Sequence, residues 1–317
     1  MARSPSSKTK VPGTAAVGVP ARSNALSLLI SLRPGEWSKN LLVFAGLLFG
    51  KRLQSLDAVL AATLAFFVFC ALSGAVYLVN DVLDRESDRR HPRKLGRPIA
   101  SGALSVNVAL AAASVLSIVS LLVAFRLDLV FGLIAAAYLA IFVLYSGSLK
   151  HIVIVDVLTI AIGFVLRAIA GAAVVHVEIS HWLLVCTILL ALFIALAKRR
   201  HELLSLADGA TSHRPILGEY NSPYLLDQMM SVVTASTLMA YVFYTISPET
   251  QEKFGTDLLG LTIPFPLYGI FRYLYLVHRR EGGGSPADLL LTDRPLLVCV
   301  ALWALSVALI IYHPWFQ

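Results

Sequence analysis

Four oxygen-bearing side chains stand at helical spacings near the end of an apolar stretch: Asn80, Asp81, Asp84 and Asp88. On a helix, with about 100° between residues, three of them fall on one face and Asp81 lies beside Asp84. Mg²⁺ normally takes one or two carboxylates and completes its shell with water and substrate phosphates. We therefore predict that these four residues form a catalytic Mg²⁺ site that bridges a diphosphate. The alternative is a solvated helix end, in which such close carboxylates would repel one another.

Basic residues follow this row at once, at Arg89, Arg90, Arg93, Lys94 and Arg97. A metal site followed by cations is the arrangement that phosphate capture needs, because the cations bind the oxygens that the metal leaves free. Lys94 and Arg97 are the candidates for this role. For any single cation here the alternative is topology, since basic residues collect on cytoplasmic loops.

Further candidate substrate-binding residues lie at predicted helix ends or within a predicted span: Lys39, Tyr77, Lys150, Asp156, Arg167, Lys198 and Arg199. Asp156 and Arg167 are about three helical turns apart, so they share nearly the same face of one span. Ionisable groups inside a span are functional by default, and the alternative is a structural ion pair with another helix. Arg167 lies about 25 Å along the axis from Lys150, which is deep for a phosphate ligand.

The composition indicates a membrane protein, because 57% of the 317 residues are hydrophobic and only 14% are charged. That is about half the charged share of a soluble domain. Stretches of roughly 20 apolar residues can cross a bilayer as helices, and none shows the alternation of a barrel strand. Eight such stretches are residues 58–79, 104–124, 129–147, 152–175, 182–197, 225–246, 258–277 and 295–312.

A shorter apolar run, residues 41–50, follows a helix break at Pro34-Gly35 and either spans the membrane or re-enters it. Counting it as a span, we predict an all-α, polytopic bundle of about nine transmembrane helices. Residues 1–24 are predicted to be a disordered basic cytosolic tail, and residues 25–317 the catalytic domain.

Most of the 26 Lys and Arg residues fall on alternate loops, which include residues 81–103, 198–224 and 278–294. This uneven distribution predicts that these loops are cytoplasmic and that the active site faces the cytoplasm from a multi-pass plasma membrane protein. The net charge of +7 then reflects topology and anionic partners at the membrane. We expect no nucleic-acid binding, because no basic strip interleaved with aromatic residues is present.

The motif Asn80-Asp81-x-x-Asp84-x-x-x-Asp88, followed by Arg97-Pro98-Ile99-Ala100-Ser101-Gly102, resembles the first aspartate-rich motif of the UbiA-type intramembrane prenyltransferase superfamily. Other segments are similar to its branch of decaprenyl-phosphate phosphoribosyltransferases. They are Leu32-Arg33-Pro34-x-x-Trp37-x-Lys39-Asn40, Tyr145-Ser146-x-x-Leu149-Lys150, Asp156 and Gly163-Phe164-x-Leu166-Arg167-Ala168-x-Ala170-Gly171. The resemblance covers residues 30 to 313 and implies a UbiA-like catalytic domain.

The chain departs from the superfamily pattern after the sixth helix, where a second aspartate motif is usual. Here the sequence is Lys198-Arg199-Arg200-His201-Glu202. A carboxylate pair would hold a second Mg²⁺ on a prenyl diphosphate, whereas a basic cluster suits a phosphate monoester. Lys198 and Arg199 are therefore predicted to bind a lipid phosphate. Glu202 and Asp208 leave a diverged second metal site open.

The resemblance implies Mg²⁺-dependent transfer of 5-phosphoribosyl from 5-phosphoribosyl diphosphate to a polyprenyl phosphate such as decaprenyl phosphate, with release of diphosphate. One alternative is a prenyltransferase that moves a prenyl chain from its diphosphate to an aromatic acceptor. An alternative of another class is a non-catalytic lipid carrier or transporter, which the clustering of charge at one membrane face disfavours. The length of the lipid stays open, and so does the choice between a monomer and a homo-oligomer.

Overall fold

A computed structural model describes residues 23–91, 94–207, 220, 222–279 and 292–312. Across these residues the chain forms helices and loops without a strand, which confirms the predicted all-α class. Residues 1–22 of the predicted tail, Arg93 and Asp208 lie outside the described part. Helix α1 already begins at Asn24, the last residue assigned to that tail.

In chain order the α-helices are α1 (Asn24–Ser31), α2 (Ala45–Phe49), α3 (Leu56–Leu83), α4 (Arg85–Arg90), α5 (Pro98–Ser101), α6 (Val106–Leu127), α7 (Leu129–Gly147), α8 (Val155–Val174), α9 (His181–Ala207), α10 (Pro223–Ile246), α11 (Pro248–Phe254), α12 (Pro264–Arg279) and α13 (Arg294–Tyr312). The described part also contains 3₁₀-helices at Pro34–Phe44, Leu149–His151 and Leu258–Thr262.

Side-chain caps fix where several long helices begin. Ser55 accepts a hydrogen bond from the backbone N–H of Ala58 at the start of α3, over 3.4 Å. Asp128 accepts one from the N–H of Phe131 at the start of α7, over 2.8 Å. Each cap satisfies a backbone donor that has no partner within the helix. The polar residues between two apolar stretches therefore set the start of the next helix.

Seven helices of the described part are long and apolar enough to cross a membrane: α3, α6, α7, α8, α9, α10 and α13. An eighth span results if α11 and the stretch Leu258–His278, which meet at a bend of 101°, are counted as one. The chain is thus a multi-pass membrane protein. Judged by the length and composition of the helices, the described part has seven or eight spans, so the predicted count of about nine is not confirmed.

The difference in the count arises partly at the bent pair and partly at the first predicted span, residues 41–50. Arg33 has a left-handed backbone (φ 52°), and the next 11 residues form a 3₁₀-helix before the five-residue α2. At one end Arg33 contacts Asp81, and past the other end Lys51 donates to the carbonyl of Phe254. A 3₁₀-helix rises about 2 Å per residue, against about 1.5 Å in an α-helix. The 11 residues of this 3₁₀-helix therefore extend over about 22 Å, farther than the same residues would as an α-helix.

Glycine allows this first segment to lie directly against α8. A Cβ atom built on Gly171 would stand 1.8 Å from the carbonyl oxygen of Val43, and one on Gly46 would stand 2.7 Å from the backbone of Ala172. Small residues permit such close backbone approach between membrane helices. The contact brings the 3₁₀-helix alongside the buried polar residues of α8.

Candidate active site

The predicted row of oxygen ligands lies where α3 passes into α4. Asp84 sits at the junction, and its N–H donates to the carbonyl of Asn80, as the N–H of Asp88 does to the carbonyl of Asp84. Near-helical spacing is therefore kept through the junction. The Nδ2 of Asn80 lies 3.1 Å from Oδ2 of Asp84, so the two side chains are adjacent, as their spacing predicted.

Lys150 reaches this pair from the 3₁₀ turn between α7 and α8. Its ammonium donates to Oδ1 of Asp84 over 2.6 Å and lies 3.4 Å from Oδ1 of Asn80. The Lys150 side chain is buried, with 5% of the residue exposed. The structure thus brings together three residues that the sequence placed at two separate helix ends.

Asp81 and Asp88 are buried and contact basic residues. Arg97 donates to Asp81 over 3.1 Å and to Asp88 over 2.6 Å, and Lys94 lies 3.6 Å from the other oxygen of Asp88. Arg33 donates to the same oxygen of Asp81 over 2.5 Å. The predicted row is therefore divided, because Asp81 and Asp88 orient cations while Asn80 and Asp84 face Lys150.

The donor set of Asn80 and Asp84 fits a Mg²⁺ ion. The amide oxygen and a carboxylate oxygen already contact one cation, the ammonium of Lys150. Mg²⁺ is commonly held by one or two carboxylates and completed by water and phosphate oxygens. Among the described residues, no three acidic, His or Cys side chains form a closed metal cluster. The metal roles predicted for Asp81 and Asp88 stay predictions.

Arg33 is a candidate site residue that the sequence reasoning missed. Its guanidinium lies 4.6 Å from the centre of the Tyr77 ring and donates to Asp81, one helical turn further along α3. The left-handed backbone of Arg33 turns the chain so that the side chain can reach α3. Its place in the Leu32-Arg33-Pro34 segment, next to the predicted helix break, was the available signal.

Lys39 and Lys198 approach one carboxylate, Glu36, which the sequence reasoning also missed. Lys39 pairs directly with Glu36 inside the 3₁₀-helix. Burial raises the pKa of Glu36, but Lys39, Lys198 and Arg33 together hold that pKa below its usual value. Glu36 is therefore an anion at neutral pH. Lys198 on α9 and Lys39 thus act electrostatically on the same carboxylate, and their substrate-binding roles stay predictions.

Arg199 and Asp156 form a buried ion pair between α9 and α8. The Nε of Arg199 lies 2.7 Å from Oδ2 of Asp156, and a second nitrogen of Arg199 pairs with Glu202. The other oxygen of Asp156 accepts from the hydroxyl of Tyr220 over 2.6 Å. This is the inter-helix pair that was the alternative to a substrate role. Direct substrate contacts of Asp156 and Arg199, and a metal role of Glu202, stay predictions.

Arg167 lies deeper in the bundle and is held by uncharged groups. It donates to Oδ1 of Asn40 and to the hydroxyl of Tyr138, each over 2.7 Å, and lies 5.3 Å from the centre of the Phe164 ring. Asn40 in turn lies 3.3 Å from the hydroxyl of Ser73. Within the described ranges no carboxylate lies within 4 Å of this guanidinium, so its charge has no direct counter-ion there.

The family model described as the UbiA prenyltransferase family matches residues 40–292. The chain belongs to this family. The resemblance predicted from the aspartate-rich motif is therefore confirmed. UbiA family membership makes the protein a membrane transferase, which argues against the non-catalytic carrier.

Two relatives and one solved structure are similar to this chain over most of its length. Decaprenyl-phosphate phosphoribosyltransferase of Mycolicibacterium smegmatis is 31% identical over 310 residues, covering 92% of this chain and 95% of the relative. The protein of the same name from Mycobacterium tuberculosis strain H37Rv is 33% identical over 284 residues, covering 87% and 91%. A UbiA homolog from Archaeoglobus fulgidus, bound to DMAPP and Mg²⁺, superposes with a TM-score of 0.70 at 20% identity, covering 90% and 98%. That likeness shows the shared fold.

Proposed function

We propose that this UbiA-family protein transfers the 5-phosphoribosyl group from 5-phosphoribosyl diphosphate to a polyprenyl phosphate, with Mg²⁺, and releases diphosphate. The observation that carries the proposal is the charge of the site. The oxygen pair of Asn80 and Asp84 suits a metal ion. On α9, where a second acidic motif would hold a metal ion for a prenyl diphosphate, the chain instead carries the cation Lys198. Names of relatives about one-third identical over most of the chain support the same reaction.

The donor diphosphate would bind between the two pairs of oxygen-bearing side chains, Asn80 with Asp84 and Asp81 with Asp88. Mg²⁺ held by Asn80 and Asp84 would neutralise the leaving diphosphate. Arg33 and Arg97 each keep further N–H donors beyond those given to the buried aspartates, because a guanidinium has five. Asp81 and Asp88 orient these donors, which then bind phosphate oxygens with Lys94.

The acceptor is a phosphate oxygen that is already anionic at neutral pH, so the protein has no proton to remove. As the bond from ribosyl C1 to the diphosphate breaks, C1 gains oxocarbenium character and the lipid phosphate oxygen bonds to it. No protein nucleophile is required. Lys150 and Lys198 position the acceptor, with Lys39 and Tyr77 lining the same side of the site.

The membrane arrangement follows from the substrates that we propose. A water-soluble phosphosugar donor requires that the site open to an aqueous face, and the basic loops predict the cytoplasmic face of the plasma membrane. The polyprenyl chain would extend from the site into the bilayer. Residues 25–317 would form one catalytic unit, preceded by a basic tail.

A second candidate is prenyl transfer to an aromatic acceptor. It is favoured by the fold shared with the Archaeoglobus homolog that binds DMAPP and Mg²⁺. The two candidate reactions use the same oxygen pair. Phosphoribosyl transfer consumes the soluble 5-phosphoribosyl diphosphate, whereas prenyl transfer consumes a lipid diphosphate.

The deciding experiment incubates purified protein in detergent with Mg²⁺, radiolabelled 5-phosphoribosyl diphosphate and decaprenyl phosphate, and then extracts the lipids. We expect label in the lipid phase only when both substrates are present. An Asp84→Ala protein serves as the inactive control. Consumption of a prenyl diphosphate with an aromatic acceptor, and no labelled lipid, would contradict phosphoribosyl transfer and favour the second candidate.

A further inference from the structure

The turn that carries Lys150 into the site contains a strained residue. Ile154, the residue before α8, has φ 69° and ψ −44°. A positive φ is a genuine outlier for a β-branched side chain and costs of order 1–3 kcal/mol. Such a conformation persists only where surrounding contacts hold it.

A hydroxyl group helps to hold this backbone, together with the tight turn in which the N–H of Val155 donates to the carbonyl of Val153 over 2.8 Å. The N–H of Ile154 donates to the hydroxyl of Tyr220 over 3.0 Å, and that hydroxyl donates to Asp156 over 2.6 Å. Burial raises the pKa of Tyr220, and the hydrogen bond to Asp156 raises it further, so the group keeps its proton. Tyr220 is fully buried and belongs to an apolar cluster between the helices. Replacing Tyr220 with Phe therefore removes the hydroxyl and keeps the packing.

Ile154 is linked to Lys150 through a short, hydrogen-bonded backbone. The N–H of Ile152 donates to the carbonyl of Leu149, and that of Asp156 donates to the carbonyl of Ile152. If Ile154 relaxed toward negative φ, the preceding turn would rotate relative to α8. Lys150 makes its contact with Asp84 from this turn, and a displacement of about 1 Å in a reacting group can cost a hundredfold in rate.

The same hydroxyl also connects the turn to α9. Asp156 accepts from Tyr220 with one oxygen and from Arg199 with the other. Lys198 precedes Arg199 directly in the sequence. The network of Tyr220, Asp156 and Arg199 thus spans the two elements that present Lys150 and Lys198.

We propose that Tyr220 is a positioning residue for the transfer reaction, acting on Lys150 through the backbone of Ile154 and the carboxylate of Asp156. The effect on catalysis rests on the proposed function, whereas the effect on the turn does not. Two measurements on the full-length protein in detergent separate these parts.

The first measurement is hydrogen–deuterium exchange, read by mass spectrometry, over residues 149–156. Tyr220→Phe should raise exchange there, because the Ile154 N–H loses its acceptor. Tyr241→Phe is the matched control, since Tyr241 is also buried and its hydroxyl has two partners, Thr262 and Trp303. Unchanged exchange in Tyr220→Phe would overturn the proposal, whatever the transferase assay shows.

The second measurement is a double-mutant cycle on turnover and on KM for each substrate, with Tyr220→Phe and Lys150→Met. Tyr220→Phe should lower turnover about tenfold, and it should have no further effect once Lys150 is replaced. Losses that multiply in the double variant would mean that Tyr220 acts on the fold and not through Lys150, which overturns the positioning role. A wild-type protein without phosphoribosyl transfer would overturn the proposed function, and the exchange measurement would still decide the role of Tyr220.

Discussion

The ammonium of Lys150 lies 2.6 Å from Asp84 although the two residues are 66 positions apart in the chain. The contact joins the turn before α8 to the end of α3. It also places a cation against the oxygens of Asp84 and Asn80 that suit a divalent ion. Two positive charges cannot share these oxygens at low cost, so Lys150 is expected to turn toward the substrate phosphates when Mg²⁺ binds.

Replacing Asp84 should abolish the metal-dependent step. Asp84→Ala is expected to lower turnover by about two to three orders of magnitude, because a metal at the leaving group contributes several kcal/mol. The measurement is phosphoribosyl transfer across a Mg²⁺ titration. The matched control is Asp57→Ala, which removes an exposed carboxylate from the first turn of the same helix. Near-normal turnover of Asp84→Ala at every Mg²⁺ concentration would exclude the proposed metal site.

The lipid phosphate and the soluble donor should respond differently to loss of Lys198. Lys198→Ala is expected to weaken the apparent affinity for polyprenyl phosphate about tenfold, because one charge-assisted contact is lost. The KM for 5-phosphoribosyl diphosphate should stay within about twofold, since we propose that Arg33 and Arg97 bind that donor. Arg126→Ala, an exposed cation on α6, should change neither value. An equal loss of apparent affinity for both substrates would show that both depend on Lys198.

Replacement of Arg199 would not report on lipid binding alone. Its guanidinium is buried between Asp156 and Glu202, so its removal would leave a buried carboxylate without its cation. Breaking such a pair commonly destabilises a protein by about 3–5 kcal/mol. An activity loss in Arg199→Ala would therefore report on folding as well as on the lipid.

The close approach of the first segment to α8 should make Gly171 intolerant of a side chain. Gly171→Ala is expected to destabilise the protein by about 1–3 kcal/mol, because the added methyl group meets the carbonyl of Val43. Gly147→Ala is the control, as that helical glycine has open space around it. Thermal unfolding in detergent measures both. Equal unfolding temperatures for the two variants would contradict the tight contact.

The predicted orientation can be tested by labelling. Cysteines placed at the exposed positions Glu86 and Asp257 should react with an impermeant maleimide from opposite sides, with Glu86→Cys labelled from the cytoplasm. Unsubstituted protein controls for the native, largely enclosed thiols. Labelling of both positions from one side would reject the arrangement.

Helical periodicity was enough to predict the centre of the site. The i, i+4 spacing places Asn80 and Asp84 together, and the structure keeps them adjacent through the junction with α4. The all-α class followed equally from long apolar stretches. Both inferences depend on local spacing, which one sequence contains in full.

The spacing of residues along the sequence could not predict contacts between distant elements. The pairing of Asp156 with Arg199 needs two helices to be packed, and the reach of Arg33 to Asp81 needs a left-handed backbone that the sequence does not reveal. The span count differed in part because residues 34–49 adopt a 3₁₀-helix and a short α-helix, whereas a hydropathy reading assumes α-helical rise. Tertiary packing decides each of these features.

The uncharged partners of Arg167 have a consequence for how the chain is built into the membrane. An arginine at the centre of a lone helix costs about 2.5–3.5 kcal/mol to insert. Asn40 and Tyr138, which accept its hydrogen bonds, precede it by 127 and 29 residues. Because synthesis runs from the N-terminus, both acceptors have left the ribosome before α8 emerges. Insertion of α8 is therefore expected to be assisted by segments made earlier, and removal of residues 1–40 would deprive Arg167 of its Asn40 acceptor.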